Sequence, residues 1–355
     1  MNEVVRTPLP FFNGDGGTGK IAPIILEKIF KDFPTINIPL TVDKRINTTD
    51  ACIYKAAELI LKVGTGFKNS TASADPRIKA AGMKSANIIM RPLLGCYAIV
   101  RIIFEAIDYD KICGTIRYGH GGFYDEQSCD IHMIDGVETA VIVTHLNLED
   151  LKPYAELALK LSKELGLDLI LSSKYTIAES EALFKERVEI VWADDKQIQG
   201  WSHKLTDMAI AGLPIKTALG GSKRGNFLHA ADNPNGDISG DSIDHQNGGF
   251  VMGSDVYCIH KGKNFTYFEL PGGTADGYLD GTLQGRNFLN PNSLIIGLCS
   301  AFEVLNPKDK EFFDAVKLAA SSYIKEVPKA DHHTIEMIDY VAEKTKHLTD
   351  SGVLT

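Results

Sequence analysis

Two arginines lie in the mostly apolar segment 84–101, and a third follows further along the chain. A hydroxyl and an amide side chain precede the first arginine. The set consists of Ser85, Asn87, Arg91, Arg101 and Arg117. A guanidinium binds a carboxylate through paired N–H donors, and a hydroxyl or amide beside it can hydrogen-bond a further carboxylate. The set suggests a site for a small acid with several carboxylates, although each arginine alone would more often be a surface residue paired with an acid.

Two aspartates downstream have the spacing of a metal site. Asp237 and Asp241 are four residues apart, so a helix that starts near Ile238 would present both carboxylates on one side at its N-terminus. Hard oxygen ligands suit Mg²⁺ or Mn²⁺ bound jointly with a chelating substrate. The alternative is ordinary helix capping by aspartate. Asp207 adds a third acid upstream.

Lys174 closes an apolar stretch that is expected to be a strand. A lysine in this place is either a strand-end residue whose charged group reaches water or an acid/base with a shifted pKa. Both interpretations stay open on the residues alone.

The glycine-rich segment near the N-terminus matches two phosphate-binding patterns incompletely. Gly14, Gly16 and Gly19 have the spacing of the dinucleotide fingerprint. The segment also approaches a P-loop, but Ile21 stands where Ser or Thr should bind magnesium, which disfavours nucleotide hydrolysis. A Rossmann unit needs an acid at the end of the next strand, and Asp43 lies somewhat too far along. A tight strand-to-helix turn is the preferred interpretation.

Composition narrows the class of protein. The chain has 355 residues and a formal net charge of −9, without a basic block, which argues against nucleic-acid or membrane-surface partners. The six cysteines form no Cys-x-x-Cys pair, so reduced thiols in a cytoplasmic compartment are expected. The sequence has no apolar run long enough to span a bilayer.

Apolar periodicity predicts alternating strands and helices, which indicates an α/β layered fold. Strands are expected at about 8–13, 38–42, 167–171 and 188–192. Helices are expected at about 21–33, 50–63 (capped by Thr49 or Asp50), 148–165 and 195–211, with two more over 309–346. Residues 125–145 are β-prone and unlike their neighbours, as in an insertion or a subunit-contact ribbon.

In this order the residues resemble the isocitrate/isopropylmalate family of β-decarboxylating dehydrogenases, over about residues 10–305. The segment from Phe268 to Ala275 and the Asn290-Pro291 pair are similar to the cofactor loop and adenine contact of that family. Ser85 together with Asn87 resembles the isocitrate dehydrogenases, in which this pair holds the extra carboxylate of isocitrate. The spacing of the cofactor loop resembles the eukaryotic-type branch.

The resemblance implies an isocitrate/isopropylmalate dehydrogenase-like fold of the α/β class, with a mixed twisted sheet in two domains and an interdomain cleft, not a true Rossmann fold. Residues 1–94 and 249–355 would form a large cofactor-binding domain, and 95–124 with 146–248 a small substrate and dimer domain. Residues 125–145 would form a short clasp-like segment between subunits.

The resemblance also implies a reaction, the oxidative decarboxylation of isocitrate to 2-oxoglutarate and CO₂ with Mg²⁺ or Mn²⁺ and a nicotinamide cofactor. The implied metal ligands are Asp207, Asp237 and Asp241, and the implied proton-transfer residues are Tyr124 and Lys174. The implied substrate contacts are Ser85, Asn87, Arg91, Arg101 and Arg117. The implied cofactor contacts are Lys68, Thr71, Ser73, Gly273, Thr274, Asp276, Gly277, Tyr278 and Asn290. A homodimer with shared sites is implied, in which Lys174 and Asp207 come from the partner subunit.

NAD is the expected cofactor. Relatives that use NADP carry a basic pair where this chain has Gly277 and Tyr278, which cannot neutralise a 2′-phosphate. Asp276 can accept hydrogen bonds from a free ribose diol. Lys216 and Arg286 lie near enough in the pattern to keep NADP open.

Two alternatives remain at this stage. The substrate could be a related 2-hydroxy acid, homoisocitrate or isopropylmalate, although the Ser85/Asn87 pair argues against isopropylmalate. The chain could also be a non-catalytic regulatory paralogue, which predicts the loss of metal or proton-transfer residues. All of those residues are present, so an enzyme is expected.

Overall fold

The computed structural model of the chain describes residues 5–104, 112–194, 203–206, 226–246, 253–275, 278–279, 282–283, 289–328 and 332–351. The chain divides into two compact units. The first unit comprises Met1–Leu94, Phe250–Val256 and His260–Thr355. The second unit comprises Gly95–Gly249 and Tyr257–Ile259.

Helices and strands alternate along most of the chain. The helices are α1 (Gly16–Lys28), α2 (Val42–Thr48), α3 (Ala51–Val63), α4 (Pro76–Ala80), α5 (Ala86–Leu94), α6 (Leu151–Leu165), α7 (Glu179–Asp194), α8 (Asn233–Gln246), α9 (Asn292–Leu305), α10 (Lys310–Glu326) and α11 (Thr334–Ser351). The strands are β1 (Leu9–Phe12), β2 (Thr35–Asn37), β3 (Phe67–Lys68), β4 (Cys96–Phe104), β5 (Ile112–Tyr118), β6 (Glu126–Ile134), β7 (Val137–Thr144), β8 (Asp168–Ser172), β9 (His203–Thr206), β10 (Phe227–Ala231), β11 (Ser254–His260), β12 (Lys263–Glu269), β13 (Tyr278–Leu279) and β14 (Thr282–Leu283).

The first unit packs helices around strands in the order β2-β1-β3-β12-β11. All four residues of β1 are buried, as expected for a strand with parallel neighbours and both faces covered. Ile21 and Ile25 of α1 belong to the core of this unit, and so does the ring of Phe30, which lies 5.1 Å from that of Phe302 in α9. The predicted helices of the C-terminal region, α10 and α11, pack into the same core.

The second unit contains residues 257–259 of β11 and strands in the order β4-β5-β10-β8-β9. β4 runs antiparallel to β5, whereas β10 is parallel to β5 and to β8. The sheet is therefore mixed, as predicted. The buried Tyr154 of α6 donates its hydroxyl to the carbonyls of Ile116 (3.1 Å) and Ala231 (2.9 Å), which ties this helix to two strands.

β6 and β7 form a separate two-stranded antiparallel sheet within residues 125–145. Asp135 and Gly136 connect them with φ values of 50° and 79°, the left-handed pair of a type I′ hairpin turn. Ile131 and Met133 are 69% and 68% exposed, and Ile142, which shares their face, is 52% exposed. The hairpin thus carries an exposed apolar face.

Three local predictions are wrong. Residues 38–42 are not a strand, because β2 ends at Asn37 and α2 begins at Val42. Residues 188–192 lie inside α7, since the buried Val188 and Trp192 are four residues apart and a short apolar run does not separate a strand from a helix. In the region predicted as a helix at 195–211, the described part is β9.

Asp50 stands at the predicted N-cap position of α3, but its side chain does not cap the helix. Its carboxylate instead accepts from the buried Arg45 at 2.8 Å. The carboxylate pairs with the buried cation instead of capping the helix, because an unpaired guanidinium in the core lowers the free energy of unfolding more than a lost cap does.

Candidate active site

Two buried arginines of the second unit bind the two aspartates of α8. The Arg101 guanidinium lies 2.5 Å from Asp241 Oδ1 and 3.1 Å from Asp237 Oδ1. Arg117 lies 2.7 Å from the same oxygen of Asp237. Both arginines are less than 10% exposed. The cluster therefore places two buried guanidinium groups against two carboxylates.

The positions of these four side chains follow from local geometry. Arg101 pairs with Thr115 across β4 and β5, so Arg117, two residues further on, is its diagonal neighbour on the same face. Asp237 and Asp241 share one side of α8, which starts at Asn233 and thus earlier than predicted.

Two glycines let α8 approach the arginines. A Cβ atom on Gly236 would come within 2.4 Å of Arg117 Cβ. A Cβ atom on Gly240 would lie 3.4 Å from Arg101 Nη1 and 3.2 Å from the Thr115 hydroxyl. The absence of both side chains brings the aspartates within ion-pair distance of the guanidinium groups.

The carboxylates of Asp237 and Asp241 fit a hard divalent cation by chemistry and exposure. Asp241 has 58% of its side chain exposed and Asp237 24%, so both oxygens can reach a ligand. Within the described part of the chain, no group of three His, Cys, Asp or Glu side chains could hold a metal. Asp207 lies outside the described residues. Two of the three predicted ligands are thus brought together.

Tyr124 joins this cluster from the short 3₁₀ turn Gly122–Asp125. Burial raises the pKa of its hydroxyl, and the negative charge of Asp237, to which it hydrogen-bonds, raises it further. The hydroxyl is therefore protonated near neutral pH and donates to the carboxylate.

Lys174 follows β8 with an exposed side chain. Its amine makes no hydrogen bond or ion pair with any residue that the structure describes. Within one chain, the structure therefore shows no contact between this lysine and the aspartates of α8.

The first unit holds the remaining predicted arginine in a second charged cluster. Arg91 donates to Glu269 Oε2 at 2.7 Å, and the Tyr267 hydroxyl donates to Glu269 Oε1 at 2.7 Å. Burial alone would raise the pKa of the Glu269 carboxyl, but Arg91 and the buried Lys68 hold it below its usual range. Burial in turn lowers the pKa of Lys68.

The two predicted selectivity residues lie on or beside α5. The Ser85 hydroxyl is 3.1 Å from that of Ser73, so these two predicted ligand contacts are neighbours. Asn87 Oδ1 is buried and has no hydrogen-bond partner in the described structure. Leaving a buried oxygen unpaired costs about 1–3 kcal/mol. Such an unpaired oxygen is typical of a binding site in which a ligand supplies the missing donor.

The glycine-rich turn packs closely against the predicted cofactor segments. Gly17 and Thr18 donate their backbone N–H groups to the carbonyls of Ala275 (3.1 Å) and Thr274 (3.2 Å). These amides of α1 are therefore occupied by the chain and do not form a phosphate cradle. A Cβ atom on Gly14 would come within 1.8 Å of the Ser70 carbonyl, so the close approach requires glycine.

The other predicted cofactor contacts are placed in part. Thr274 is buried, Gly273 is exposed and Thr71 is half-buried. Asn290 accepts from the Asn292 backbone N–H at 3.0 Å, at the start of α9. Tyr278 lies in β13. Asp276, Gly277, Lys216 and Arg286 lie outside the described residues.

No protein-family model matches the chain. Two curated proteins are similar to it. The mitochondrial isocitrate dehydrogenase (NADP) of Saccharomyces cerevisiae is 24% identical over 307 residues, which cover 74% of this chain and 70% of the yeast protein. The isocitrate dehydrogenase (NADP) of Sphingobium yanoikuyae is 24% identical over 303 residues, which cover 73% and 72% of the two chains.

Solved structures agree with these relatives. The isocitrate dehydrogenase of Ostreococcus tauri, in complex with isocitrate and magnesium(II), superposes with a TM-score of 0.81 at 18% identity, over 96% of this chain and all of that one. That of Methylococcus capsulatus gives 0.75 at 17% identity, over 96% and 99%. The chain is similar in sequence to isocitrate dehydrogenases and shares their fold. The predicted isocitrate/isopropylmalate dehydrogenase-like fold is confirmed.

Sequence reasoning missed three polar residues near the site: two contact predicted site residues, and one contacts a serine of α8. Glu269 holds Arg91, Glu181 binds the backbone of Lys174, and His229 bonds Ser239 of α8. Glu269 stands inside the segment that resembles the cofactor loop, which is a signal that could have found it. Glu181 and His229 carry no such signal, because their partners are distant in sequence.

Proposed function

We propose that this chain is a metal-dependent isocitrate dehydrogenase. It oxidises and decarboxylates isocitrate to 2-oxoglutarate and CO₂ and reduces a nicotinamide cofactor. The observation that carries the proposal is the cluster of two buried arginines, two carboxylates on one helix face and a tyrosine in the second unit. It is supported by a relative whose structure contains isocitrate and magnesium(II).

Asp237 and Asp241 would hold Mg²⁺ or Mn²⁺ together with Asp207 of the partner subunit. A cation held there would act as a Lewis acid toward the hydroxyl and the α-carboxylate of the substrate, and a bound nicotinamide cofactor would supply the hydride acceptor. Tyr124 and Lys174 would handle the protons, since a phenol and an amine are both side chains that serve in general acid–base catalysis. Tyr124 already donates to Asp237 in the structure.

Substrate binding follows from the same charges. Arg101 binds Asp237 and Asp241 in the structure, and Arg117 binds Asp237. When a divalent cation takes up the charge of those aspartates, the guanidinium groups can turn to the carboxylates of isocitrate. Arg91 would bind a further carboxylate, and Ser85 with Asn87 would select isocitrate. The buried, unpartnered oxygen of Asn87 supports this role.

The functional unit in this proposal is a homodimer with shared sites. Lys174, whose side-chain amine contacts no described residue of its own subunit, would serve the neighbouring site. The β6–β7 hairpin would contact the second copy, since an exposed apolar face on a two-stranded sheet is otherwise unfavourable in water.

We propose NAD as the preferred cofactor, bound by the segment from Gly273 to Tyr278 together with Lys68, Thr71, Ser73 and Asn290. The support is the sequence: Asp276 would repel a 2′-phosphate, and Gly277 with Tyr278 cannot offset its charge. The two curated relatives carry NADP in their names, so the preference of this chain is a point of difference to be measured.

The experiment is steady-state kinetics of the full chain with Mn²⁺. Isocitrate, homoisocitrate and isopropylmalate are each assayed with NAD and with NADP. The proposal expects the highest kcat/KM for isocitrate with NAD. A higher kcat/KM for another acid would mean that this acid, and not isocitrate, is the substrate. A preference for NADP would show that Lys216, Arg286 or another basic residue binds the 2′-phosphate.

A further inference from the structure

Glu181, in the first turn of α7, binds donors from two other elements of the second unit. Its Oε2 atom accepts from the Ser173 hydroxyl at 2.8 Å and from the Lys174 backbone N–H at 3.3 Å. Its Oε1 atom accepts from the Asn235 side-chain amide at 3.2 Å. One carboxylate therefore joins the loop that carries Lys174 to the first turn of α8.

Asp232, the residue between β10 and α8, completes the arrangement. Its Oδ1 atom accepts from the Asn235 backbone N–H at 3.2 Å, and its carboxyl hydrogen-bonds Glu181. Burial raises the pKa of Asp232, and the charge of Glu181 raises it further. The two carboxyl groups are therefore hydrogen-bonded to each other, and Asp232 and Glu181 both contact Asn235.

The direction of the Lys174 side chain depends on its backbone. The amine is exposed and contacts no described residue, so nothing described holds it directly. The Lys174 carbonyl accepts from Ile177 (3.0 Å) and Ala178 (3.1 Å), and its N–H donates to Glu181. The neighbouring Ser173 is fully buried and bonds both the carbonyl and the carboxylate of Glu181.

We propose that Glu181 is a positioning residue for Lys174. Its carboxylate fixes the Lys174 loop on the first turn of α8, the helix that carries Asp237 and Asp241. Because the loop and the helix share this one anchor, the proton-transfer lysine and the carboxylate pair keep a defined relation within each subunit. This inference rests on the proposed function for the role of Lys174, and its structural part stands independently.

The test compares three variants of the full chain with the wild type. Glu181→Ala removes both carboxylate acceptors and keeps only the backbone carbonyl that Ser173 also contacts. Glu181→Gln keeps one oxygen for Ser173 and Lys174, and the Asn235 amide can turn to accept from the new amide group. Glu179→Ala removes an exposed glutamate from the same helical turn and is the matched control.

Two readouts are measured: kinetics with isocitrate and hydrogen exchange at the Lys174 amide. Because a small misplacement of a catalytic group costs up to about a hundred-fold in rate, Glu181→Ala should lower kcat roughly ten- to hundred-fold. The KM for isocitrate should change less than about threefold, since the substrate contacts lie elsewhere. Exchange at Lys174 should quicken by about tenfold or more, because its amide loses its acceptor.

Glu181→Gln and Glu179→Ala should stay close to the wild type in both readouts. Glu181→Ala with wild-type kcat or with wild-type exchange at Lys174 would overturn the proposal. If Glu181→Ala does not fold, Asn235→Ala replaces it, since this variant removes only the link to α8 and should quicken exchange in the same loop; no change there would also overturn the proposal. A wild type without isocitrate turnover would refute the proposed function, whereas the exchange data would still decide the positioning.

Discussion

At the scale of single residues, charge explains the central cluster. Two guanidinium groups and two carboxylates lie within ion-pair distance, with both arginines buried. Buried charges are tolerated only when they are paired, so the aspartates stabilise the arginines in the structure. A divalent cation and a carboxylate substrate can replace these pairings with others of the same kind, which makes the cluster suited to binding both together.

The first prediction concerns Asp237. Replacement by asparagine removes a charge that Arg101 and Arg117 share and a carboxylate ligand of the proposed cation. We expect Asp237→Asn to fold and to lose at least about a hundred-fold in kcat/KM, with a raised Mn²⁺ requirement. The measurement is activity titrated with Mn²⁺, with circular dichroism as the check on folding.

The control for this prediction is Asp168→Asn, which changes an exposed aspartate at the start of β8. It should retain wild-type activity and metal dependence. An Asp237→Asn variant that keeps the wild-type Mn²⁺ titration would remove Asp237 from the metal site.

The second prediction concerns Ser85. Its hydroxyl lies beside Ser73 and contacts no charged group among the residues that the structure describes, so it is available to a substrate carboxylate. Losing a hydrogen bond to a charged group costs about 1.5–3 kcal/mol, so Ser85→Ala should lower kcat/KM for isocitrate roughly ten- to a hundred-fold. Ser180→Ala, at an exposed position, is the control. An unchanged kcat/KM for isocitrate would exclude Ser85 as a substrate contact.

Sequence reasoning found the residues of the cluster but not how they pair in the structure. Residue types and spacing indicated that Asp237 and Asp241 share a helix face, because the helical period alone places them together. The contact of Arg101 with both aspartates bridges more than 130 positions of sequence. Such a contact follows from strand pairing and from the glycines of α8, which periodicity does not predict.

At the scale of elements, a buried polar chain ties α8 to the sheet. The His229 ring in β10 hydrogen-bonds the Ser172 hydroxyl at 2.6 Å and the Ser239 hydroxyl at 3.1 Å, and all three side chains are fully buried. Burial lowers the pKa of His229 to about 4. The histidine is therefore neutral in the folded protein at neutral pH.

The third prediction is the pH dependence of stability that follows. An unfolded histidine titrates near 6.5, so below that pH the unfolded chain binds a proton that folded His229 does not. Stability should fall as the pH drops from the unfolded towards the folded pKa. His229→Gln keeps polar partners without titrating. The wild type should lose about 2 kcal/mol more than this variant between about pH 7.5 and about pH 5.

The measurement is urea unfolding of both proteins at the two pH values. Other titrating groups are common to both proteins and cancel in the comparison. Equal pH dependence would mean that His229 is not held neutral by burial.

Elements with a long, regular pattern were predictable, and short ones were not. α6 ends at Gly166 in the left-handed conformation, as the sequence predicts, because fifteen residues of amphipathic pattern leave no alternative. The segment from Val188 to Trp192 was mistaken for a strand because its five residues fit either period. The hairpin turn at Asp135 and Gly136 is a strong local signal.

At the scale of the whole molecule, the fourth prediction concerns assembly. If Lys174 serves the partner's site, Lys174→Met and Asp237→Asn chains, each inactive alone, should regain activity when mixed. A mixed dimer has one site with both defects and one intact site. The measurement is isocitrate turnover of mixed dimers isolated with two different affinity tags. The control is a dimer isolated in the same way in which both differently tagged subunits carry the same substitution.

Inactive mixed dimers, or a fully active monomer, would refute the shared site.

The exposed apolar face of the β6–β7 hairpin predicts that substitutions on this face change dimer formation in the same assay. Ile131→Asp should weaken dimer formation, whereas His132→Asp, on the opposite face, should not, because successive residues of a strand point to opposite sides.

The central claim is that this chain converts isocitrate to 2-oxoglutarate and CO₂ with a divalent metal and a nicotinamide cofactor. The most direct test is product analysis of the wild-type chain supplied with isocitrate, Mn²⁺ and NAD. We expect 2-oxoglutarate, CO₂ and reduced cofactor in equal amounts, and no turnover once EDTA removes the metal. Full activity in EDTA, or an oxidised product that keeps all its carboxylates, would contradict it.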